Sequence, residues 1–223
     1  MYRFIIALFA FALVTGFTFQ KKTHVIFFGD SITELGVKPG GYVTRVDSLC
    51  KLENKSDQYQ FTGSGISGNK VYDLYLRMED DVLRKNPDVV VIYVGVNDVW
   101  HKTLLGTGTD PDKFEKFYTA ILARLKEKNI RAILVTPAVV GEKTDSSNPL
   151  DGDLNRYSNI IRTIAKKNGL PVVDLREMFI AYNKSNNPNN EEKNILTYDK
   201  VHLNAKGNQL VADAMWKAIK AIK

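Results

Sequence analysis

The sequence predicts a single α/β domain built on a parallel sheet with helices on both faces. The chain has 223 residues, which is enough for one domain with a substantial core but too short for two comfortable catalytic domains. Short apolar runs alternate along it with longer amphipathic stretches, and the short runs are almost continuously apolar. Strands covered on both faces by helices have that character.

Five segments rich in β-branched and aromatic residues are the predicted strands of this sheet. They cover residues 24–29, 59–63, 88–95, 131–136 and 171–175. Turn-forming residues at Asn86-Pro87, Asn129 and Asn168-Gly169 stand just before the last three strands, where a helix must stop and the chain reverse.

Five amphipathic stretches between and after the strands are the predicted helices, because their apolar residues recur at spacings of three and four. They cover residues 41–52, 71–84, 111–128, 154–167 and 205–220. Alternating strands and helices imply right-handed crossovers and a doubly wound sheet. Ligands of such sheets bind at the carboxyl ends of the strands, near a switch in strand order, so we expect the chemistry just after strands.

The first 19 residues are predicted to be a signal peptide, and residues 20–223 the folded domain. One positive charge at Arg3 precedes an unbroken apolar run over residues 4–14, and polar residues follow from Thr15 onward. A membrane-spanning helix needs about 20 apolar residues. We therefore expect a secreted or periplasmic protein without stable membrane association after cleavage, with an uncleaved anchor as the alternative. Cys50, the only cysteine, is expected to pack in the core.

Charge and motifs exclude several function classes. The formal charge is +6, but the 31 basic residues are scattered among 25 acidic ones, so we expect no nucleic-acid partner. The sequence has no phosphate-binding Gly-x-x-x-x-Gly-Lys, no Gly-x-Ser-x-Gly elbow and no cluster with zinc spacing. Residues 63–68 (GSGISG) fit a dinucleotide pattern but lack its acidic partner residue. We predict no metal and no cofactor.

Four short polar segments are expected to converge at one edge of the sheet. Three of them directly follow the first three predicted strands, and the fourth precedes the last helix: residues 29–32, 65–69, 95–98 and 199–202. A serine at a strand-to-helix turn can present its hydroxyl at the sheet edge. Histidine can accept that proton near neutral pH, and a carboxylate on its other nitrogen fixes the tautomer. We predict Ser31 as nucleophile, His202 as base and Asp199 as its orienting carboxylate.

Acyl transfer by Ser31 also needs hydrogen-bond donors for the oxyanion of the tetrahedral intermediate. Three groups are predicted to supply them: the Ser31 N–H, the Gly68 N–H, which lacks a side chain to block close approach, and the Asn97 side-chain amide. His24 lies at the opposite end of the first strand and is expected to be structural.

On these residues the chain resembles the SGNH hydrolases, also called GDSL-like lipases and esterases. Gly29-Asp30-Ser31 matches the nucleophile block, 66–68 the glycine block, 95–98 the asparagine block, and Asp199 with His202 the terminal block. The resemblance covers residues 24 to about 220. It implies a three-layer flavodoxin-like fold and ester hydrolysis without metal or organic cofactor. Ile32-Thr33 stands where the name motif has leucine, which has no chemical role.

Within that resemblance, a carbohydrate O-acetylesterase acting on a small acyl ester or acetylated glycan is favoured, because many exported relatives remove acetyl groups from polysaccharides. A lipid or thioester acylhydrolase and a non-catalytic binding module stay open. Candidate substrate-binding residues are Asp30, Tyr42, Trp100 and His101, although His101 could equally be a loop residue without function. Residues 139–151 are a further candidate pocket wall, and residues 183–193 are either a flap or a solvated loop.

Overall fold

The computed structural model describes residues 21–222, and these residues contain a five-stranded, all-parallel sheet. Its order is β2-β1-β3-β4-β5. The strands are β1 (Thr23–Gly29), β2 (Tyr59–Gly65), β3 (Val89–Tyr93), β4 (Arg131–Val135) and β5 (Val172–Val173). Because β1 lies between β2 and β3, β2 is added on one side of β1, and β3, β4 and β5 are added in turn on the other side. The switch in strand order therefore falls at β1.

Eight α-helices connect and follow these strands within the described residues. They are α1 (Ser31–Gly36), α2 (Tyr42–Leu52), α3 (Val71–Asp81), α4 (Val96–Leu104), α5 (Pro111–Glu127), α6 (Asp151–Asn168), α7 (Leu175–Asn186) and α8 (Ala205–Ala221). Helices α2, α7 and α8 cover one face of the sheet, and α3, α5 and α6 cover the other.

Strand β1 shows why the sheet is apolar on both faces. Val25 and Phe27 point into the core beneath α2 and α8, whereas Ile26 and Phe28 point into the core beneath α3 and α5. All four are buried, as the period of two along a strand demands when both faces are covered. The three-layer α/β prediction is confirmed.

The boundaries differ from the predicted ones mainly where a helix begins directly after a strand. The strand predicted at 171–175 is only two residues long, because the Asp174 side chain accepts a hydrogen bond from the Glu177 N–H and starts α7. The strand predicted at 88–95 ends at Tyr93, and Gly95, at φ +131°, leads into α4. The helix predicted at 71–84 ends at Asp81, and a short 3₁₀ turn follows.

Three helices went unpredicted: α1, α4 and α7. Each begins within two or three residues of a strand end, so no loop of its own separates the strand from the helix in the sequence. The segment 183–193 was expected to be a loop or flap throughout. That expectation is wrong for its first four residues, which form the last turn of α7.

The predicted signal peptide, residues 1–19, lies outside the described residues. Within residues 21–222, none of the helices combines the length and the apolar character that a membrane crossing requires.

Candidate active site

Ser31 is the first residue of α1, immediately after β1. The preceding residue, Asp30, caps this helix, because its Oδ1 accepts a hydrogen bond from the Ile32 N–H at 2.9 Å. Gly29 makes the tight turn possible: a Cβ there would lie 2.4 Å from the Tyr93 carbonyl oxygen of β3. The strand end and the helix start therefore meet in a turn that holds Ser31 at the sheet edge, with 8% of its surface exposed.

His202 and Asp199 reach this serine from the loop before α8. His202 Nε2 lies 2.9 Å from Ser31 Oγ, and His202 Nδ1 lies 2.7 Å from Asp199 Oδ2. Asp199 Oδ1 accepts hydrogen bonds from the backbone N–H groups of His202 at 2.7 Å and Val201 at 3.1 Å. The three predicted residues thus form one continuous hydrogen-bonded row.

The contacts of Asp199 determine what the His202 ring can do. Partial burial works against ionisation of Asp199, but hydrogen bonds from the His202 ring and from the N–H groups of His202 and Val201 outweigh it. They hold the carboxyl pKa below its ordinary value. A carboxylate can only accept hydrogen bonds, so Nδ1 carries the proton. That leaves Nε2 free to accept the proton of Ser31 Oγ–H.

The two predicted oxyanion donors lie after the strands on either side of β1. Gly68 follows β2 and has φ +78°, a conformation that glycine adopts without cost. Asn97 is the second residue of α4, after β3, and is 98% buried. Its Nδ2 donates to the Asn69 carbonyl oxygen at 3.1 Å. The asparagine segment and the glycine segment are therefore joined directly.

Arg77 was not predicted from the sequence. It bonds to both the serine segment (29–32) and the glycine segment (65–69). On α3, its Nη2 donates to the Gly29 carbonyl oxygen at 2.7 Å and its Nε to Asn69 Oδ1 at 2.7 Å. Its guanidinium also lies 4.5 Å from the centre of the Phe28 ring. An arginine in an amphipathic helix ordinarily faces solvent, so the sequence carried no signal for this role.

Two of the predicted substrate-binding residues are buried beneath the site, and we correct their assignment. Tyr42 is 0% exposed, and its hydroxyl lies 2.9 Å from Thr33 Oγ1. Asp30 is 1% exposed. Neither contributes to a surface that a substrate can contact. The cause is that Tyr42 starts α2 facing the sheet, and Asp30 turns inward to cap α1.

The other two candidates, His101 and Trp100, lie on α4, and His101 lies close to Gly68. His101 is one helical turn beyond Asn97 on α4, and its Cε1 lies 3.7 Å from where a Cβ on Gly68 would be. It is 92% buried, and its Nδ1 has no hydrogen-bond partner in the part of the chain that is described. Trp100, its neighbour, is partly buried and packs against the core.

Tyr198, which was also not predicted from the sequence, is an aromatic residue beside the hydrogen-bonded row of Ser31, His202 and Asp199. Its ring stacks on that of His202 with centroids 5.9 Å apart and planes inclined by 20°. Nevertheless 49% of the residue is exposed. Its position directly before Asp199 was the available sequence signal. The arrangement places a half-exposed aromatic surface next to the histidine.

No group of three or more metal-ligating side chains is found within residues 21–222.

Asp30 gives the fold a pH dependence. Burial, together with the carboxylate of nearby Asp98, raises the pKa of Asp30 to about 7 from an ordinary 3.8, although the Ile32 N–H bond acts in the opposite direction. The unfolded chain ionises this group above pH 3.8, whereas the folded chain keeps it protonated until about pH 7. The native state accordingly loses stability between those pH values, and the loss is complete above them.

Asp30→Asn is therefore expected to gain stability over the wild type as the pH rises, with little difference at pH 4 and the largest gain at pH 8. Urea denaturation at pH 4, 6 and 8 measures this. Asp213→Asn, which changes an exposed carboxylate on α8, is the matched control and should show no such trend. A stability difference for Asp30→Asn that does not vary with pH would contradict the expectation.

The doubly wound sheet and a serine, histidine and aspartate hydrogen-bonded at its switch point define a carboxylic-ester hydrolase of the serine type. The chain belongs to the GDSL-like lipase/acylhydrolase family, whose sequence model matches residues 27–210.

The proteins similar to this chain include acetylxylan esterases. The crystal structure of the acetyl xylan esterase AlAXEase is 60% identical and superposes with a TM-score of 0.87, over 88% of this chain and 99% of that one. The acetylxylan esterase of Geobacillus stearothermophilus is 28% identical over 210 residues, covering 87% of this chain and 93% of its own length.

Three crystal structures of catalytic mutants of the Geobacillus stearothermophilus esterase Axe2 are similar as well. Their TM-scores are 0.78 to 0.79 at 26 to 27% identity, over 91 to 92% of this chain and 96 to 98% of theirs. The replaced residues are a serine, an aspartate and, three positions after the aspartate, a histidine.

Proposed function

We propose that this protein is an exported esterase that removes acetyl groups from carbohydrate, with acetylated xylan-type glycans as its substrates, through an acyl-enzyme on Ser31. The observation that carries the proposal is the row of hydrogen bonds from Ser31 through His202 to Asp199. The same spacing of three separates Asp199 from His202 and the aspartate from the histidine in the Axe2 catalytic mutants.

In the proposed first half-reaction, His202 Nε2 takes the Ser31 hydroxyl proton as Oγ attacks the acetyl carbonyl carbon. The carbonyl oxygen becomes an oxyanion held by the Ser31 N–H, the Gly68 N–H and the Asn97 amide. The C–O bond to the sugar then breaks, and the His202 proton passes to the sugar oxygen. In the second half, water loses a proton to His202 and attacks the acetyl-enzyme, and acetate leaves as Ser31 recovers its proton.

A carbohydrate substrate is supported by the names of the relatives and by Tyr198. An exposed aromatic ring offers a flat, apolar surface to the C–H groups of a pyranose ring while leaving the sugar hydroxyls to water. Tyr198 offers such a surface beside the histidine. A glycan carrying an acetyl group at Ser31 would lie within reach of it.

The experiment is a substrate panel on the purified protein, with Ser31→Ala as the blank. We expect acetate release from acetylated xylooligosaccharides, and a kcat/KM on p-nitrophenyl esters that falls from acetate to butyrate to octanoate. A higher kcat/KM on octanoate or on an acyl thioester, without acetate release from the glycan, would contradict the acetyl-glycan assignment and favour a lipid or thioester acylhydrolase.

Fluorophosphonate labelling separates catalysis from binding alone. The reagent phosphonylates an activated serine, so we expect stoichiometric labelling of the wild type and none of Ser31→Ala. A folded wild type that takes no label would support a non-catalytic binding module.

Export is proposed from the composition of the first 19 residues. The run at residues 4–14 after Arg3 has the charge and length of a signal peptide. Expression of the full chain with a C-terminal tag, followed by N-terminal sequencing of the exported protein, is expected to show cleavage between Thr15 and Gln20. A membrane-bound product retaining Met1 would show that the segment is an uncleaved anchor.

A further inference from the structure

Glu142 is a carboxylate buried in the segment between β4 and α6. None of its surface is exposed. Its Oε1 accepts hydrogen bonds from the backbone N–H groups of Leu196 at 2.7 Å and Thr197 at 2.9 Å, and its Oε2 accepts one from Ile195 at 2.8 Å. Three consecutive N–H groups of one segment thus converge on a single side chain.

The backbone partners of the Glu142 side chain explain how the protein tolerates a buried carboxylate. A buried charge is costly unless hydrogen bonds or an opposite charge compensate it. No lysine, arginine or histidine among the described residues forms an ion pair with Glu142. The compensation shown comes from the segment 195–197, so any shift of that segment leaves the carboxylate without its donors.

The segment 195–197 leads directly into the Asp199–His202 turn. Thr197 pairs with Leu203 as an isolated antiparallel bridge, and the Tyr198 N–H donates to the His202 carbonyl oxygen at 2.9 Å. Hydrogen bonds therefore join the residues before the turn to the residues after it. Glu142 binds the segment that enters the turn.

Two backbone contacts fix the same loop from the Glu142 side. The Gly141 N–H donates to the Lys200 carbonyl oxygen at 2.9 Å, inside the turn, and the Glu142 N–H donates to the Glu192 carbonyl oxygen at 3.0 Å, ahead of it. Lys200 itself has φ +87°, an unfavourable conformation for a residue with a side chain that the surrounding contacts must hold in place.

We propose that Glu142 is a positioning residue for catalysis: it sets the place of the Asp199–His202 turn relative to Ser31. Ser31 belongs to the β1–α1 turn of the sheet, whereas His202 lies on a loop outside the sheet, and the 2.9 Å contact between them requires both to be held. Glu142 fixes the loop that carries His202 through its hydrogen bonds with residues 195–197. The inference rests on the proposed esterase function, in which His202 is the base.

The test is Glu142→Gln, which keeps the shape of the side chain but turns one oxygen into an NH₂ group. That group faces a backbone N–H, and two donors repel, so the segment 195–197 moves away. A displacement of about 1 Å at a catalytic group can lower turnover about 100-fold. We expect kcat on p-nitrophenyl acetate to fall about 10- to 100-fold with KM unchanged, measured well below the melting temperature, and the rate of fluorophosphonate labelling to fall in parallel.

Asp174→Asn is the matched control, because Asp174 is a half-buried carboxylate that accepts hydrogen bonds from Thr136, Arg162 and the Glu177 N–H without touching the loop. We expect this variant to lose stability and keep its kcat. A folded Glu142→Gln with the kcat of the wild type, or a kcat loss equal to that of Asp174→Asn, would overturn the proposal.

Glu142→Asp covers the case in which Glu142→Gln does not fold. Its carboxylate is retained but drawn back by one methylene, so we expect its kcat to lie below that of the wild type; wild-type kcat would overturn the proposal. Crystal structures give a readout that needs no activity. We expect the contact between His202 Nε2 and Ser31 Oγ to be broken in Glu142→Gln, and an unchanged contact would overturn the positioning role even if the wild type proved not to be an esterase.

Discussion

Ser31→Ala is expected to reduce esterase turnover about 10⁶-fold, to a level close to background hydrolysis. The substitution removes the oxygen that His202 Nε2 contacts at 2.9 Å, so no acyl-enzyme can form. Tighter substrate binding cannot restore the rate, because the substitution removes the nucleophilic attack and not a binding contact. The measurement is initial-rate hydrolysis of p-nitrophenyl acetate and release of acetate from acetylated xylooligosaccharides, at enzyme concentrations high enough to detect the residual rate.

The double variant Ser31→Ala/His202→Ala makes this prediction sharper. Residues that act as one unit are not additive, so the double variant should be no slower than Ser31→Ala alone. Ser48→Ala is the control, since Ser48 lies exposed on α2 with its hydroxyl bonded to the Thr44 carbonyl oxygen, and it should keep the wild-type rate. A folded Ser31→Ala protein within about tenfold of the wild-type rate would refute Ser31 as the nucleophile.

The fold and the polar segments were predictable because both are encoded locally. Runs such as 88–95 signal a strand covered on both faces, and a parallel sheet brings every strand end to one edge. Placing Ser31, Gly68 and Asn97 after three strands therefore predicts that they meet, without any knowledge of their contacts. The order β2-β1-β3-β4-β5 adds that these are the three adjacent strands at the switch point.

What the sequence did not reveal depends on contacts between distant residues. Arg77 bonds to Gly29, 48 residues away, and Glu142 bonds to Thr197, 55 residues away. In the sequence both are ordinary charged residues on a helix and a loop. Tyr42 misled for a related reason. It was predicted to bind substrate, but the start of α2 faces the sheet, so its side chain is part of the core.

Asp199→Asn is expected to lower kcat/KM about 10⁴-fold while leaving the protein folded. The reason lies in the three contacts of the carboxylate. Oδ1 accepts the backbone N–H groups of Val201 and His202, and only an oxygen can fill that place, so the new amide nitrogen must occupy the place of Oδ2. There it donates to His202 Nδ1, which must then be the unprotonated nitrogen. The ring proton moves to Nε2 and faces Ser31 Oγ.

The variant therefore keeps its serine, its histidine and their separation but holds the wrong tautomer, in which Nε2 cannot accept the serine proton. Loss of kcat with a nearly unchanged KM, and fluorophosphonate labelling slowed to the same degree, are the expected readouts. Asp213→Asn makes the same chemical change at an exposed position of α8 and should retain full activity. Asp199→Asn keeping more than about a tenth of the wild-type kcat/KM would contradict this role. The carboxylate would then only shape the turn, and another group would have to fix the tautomer of His202.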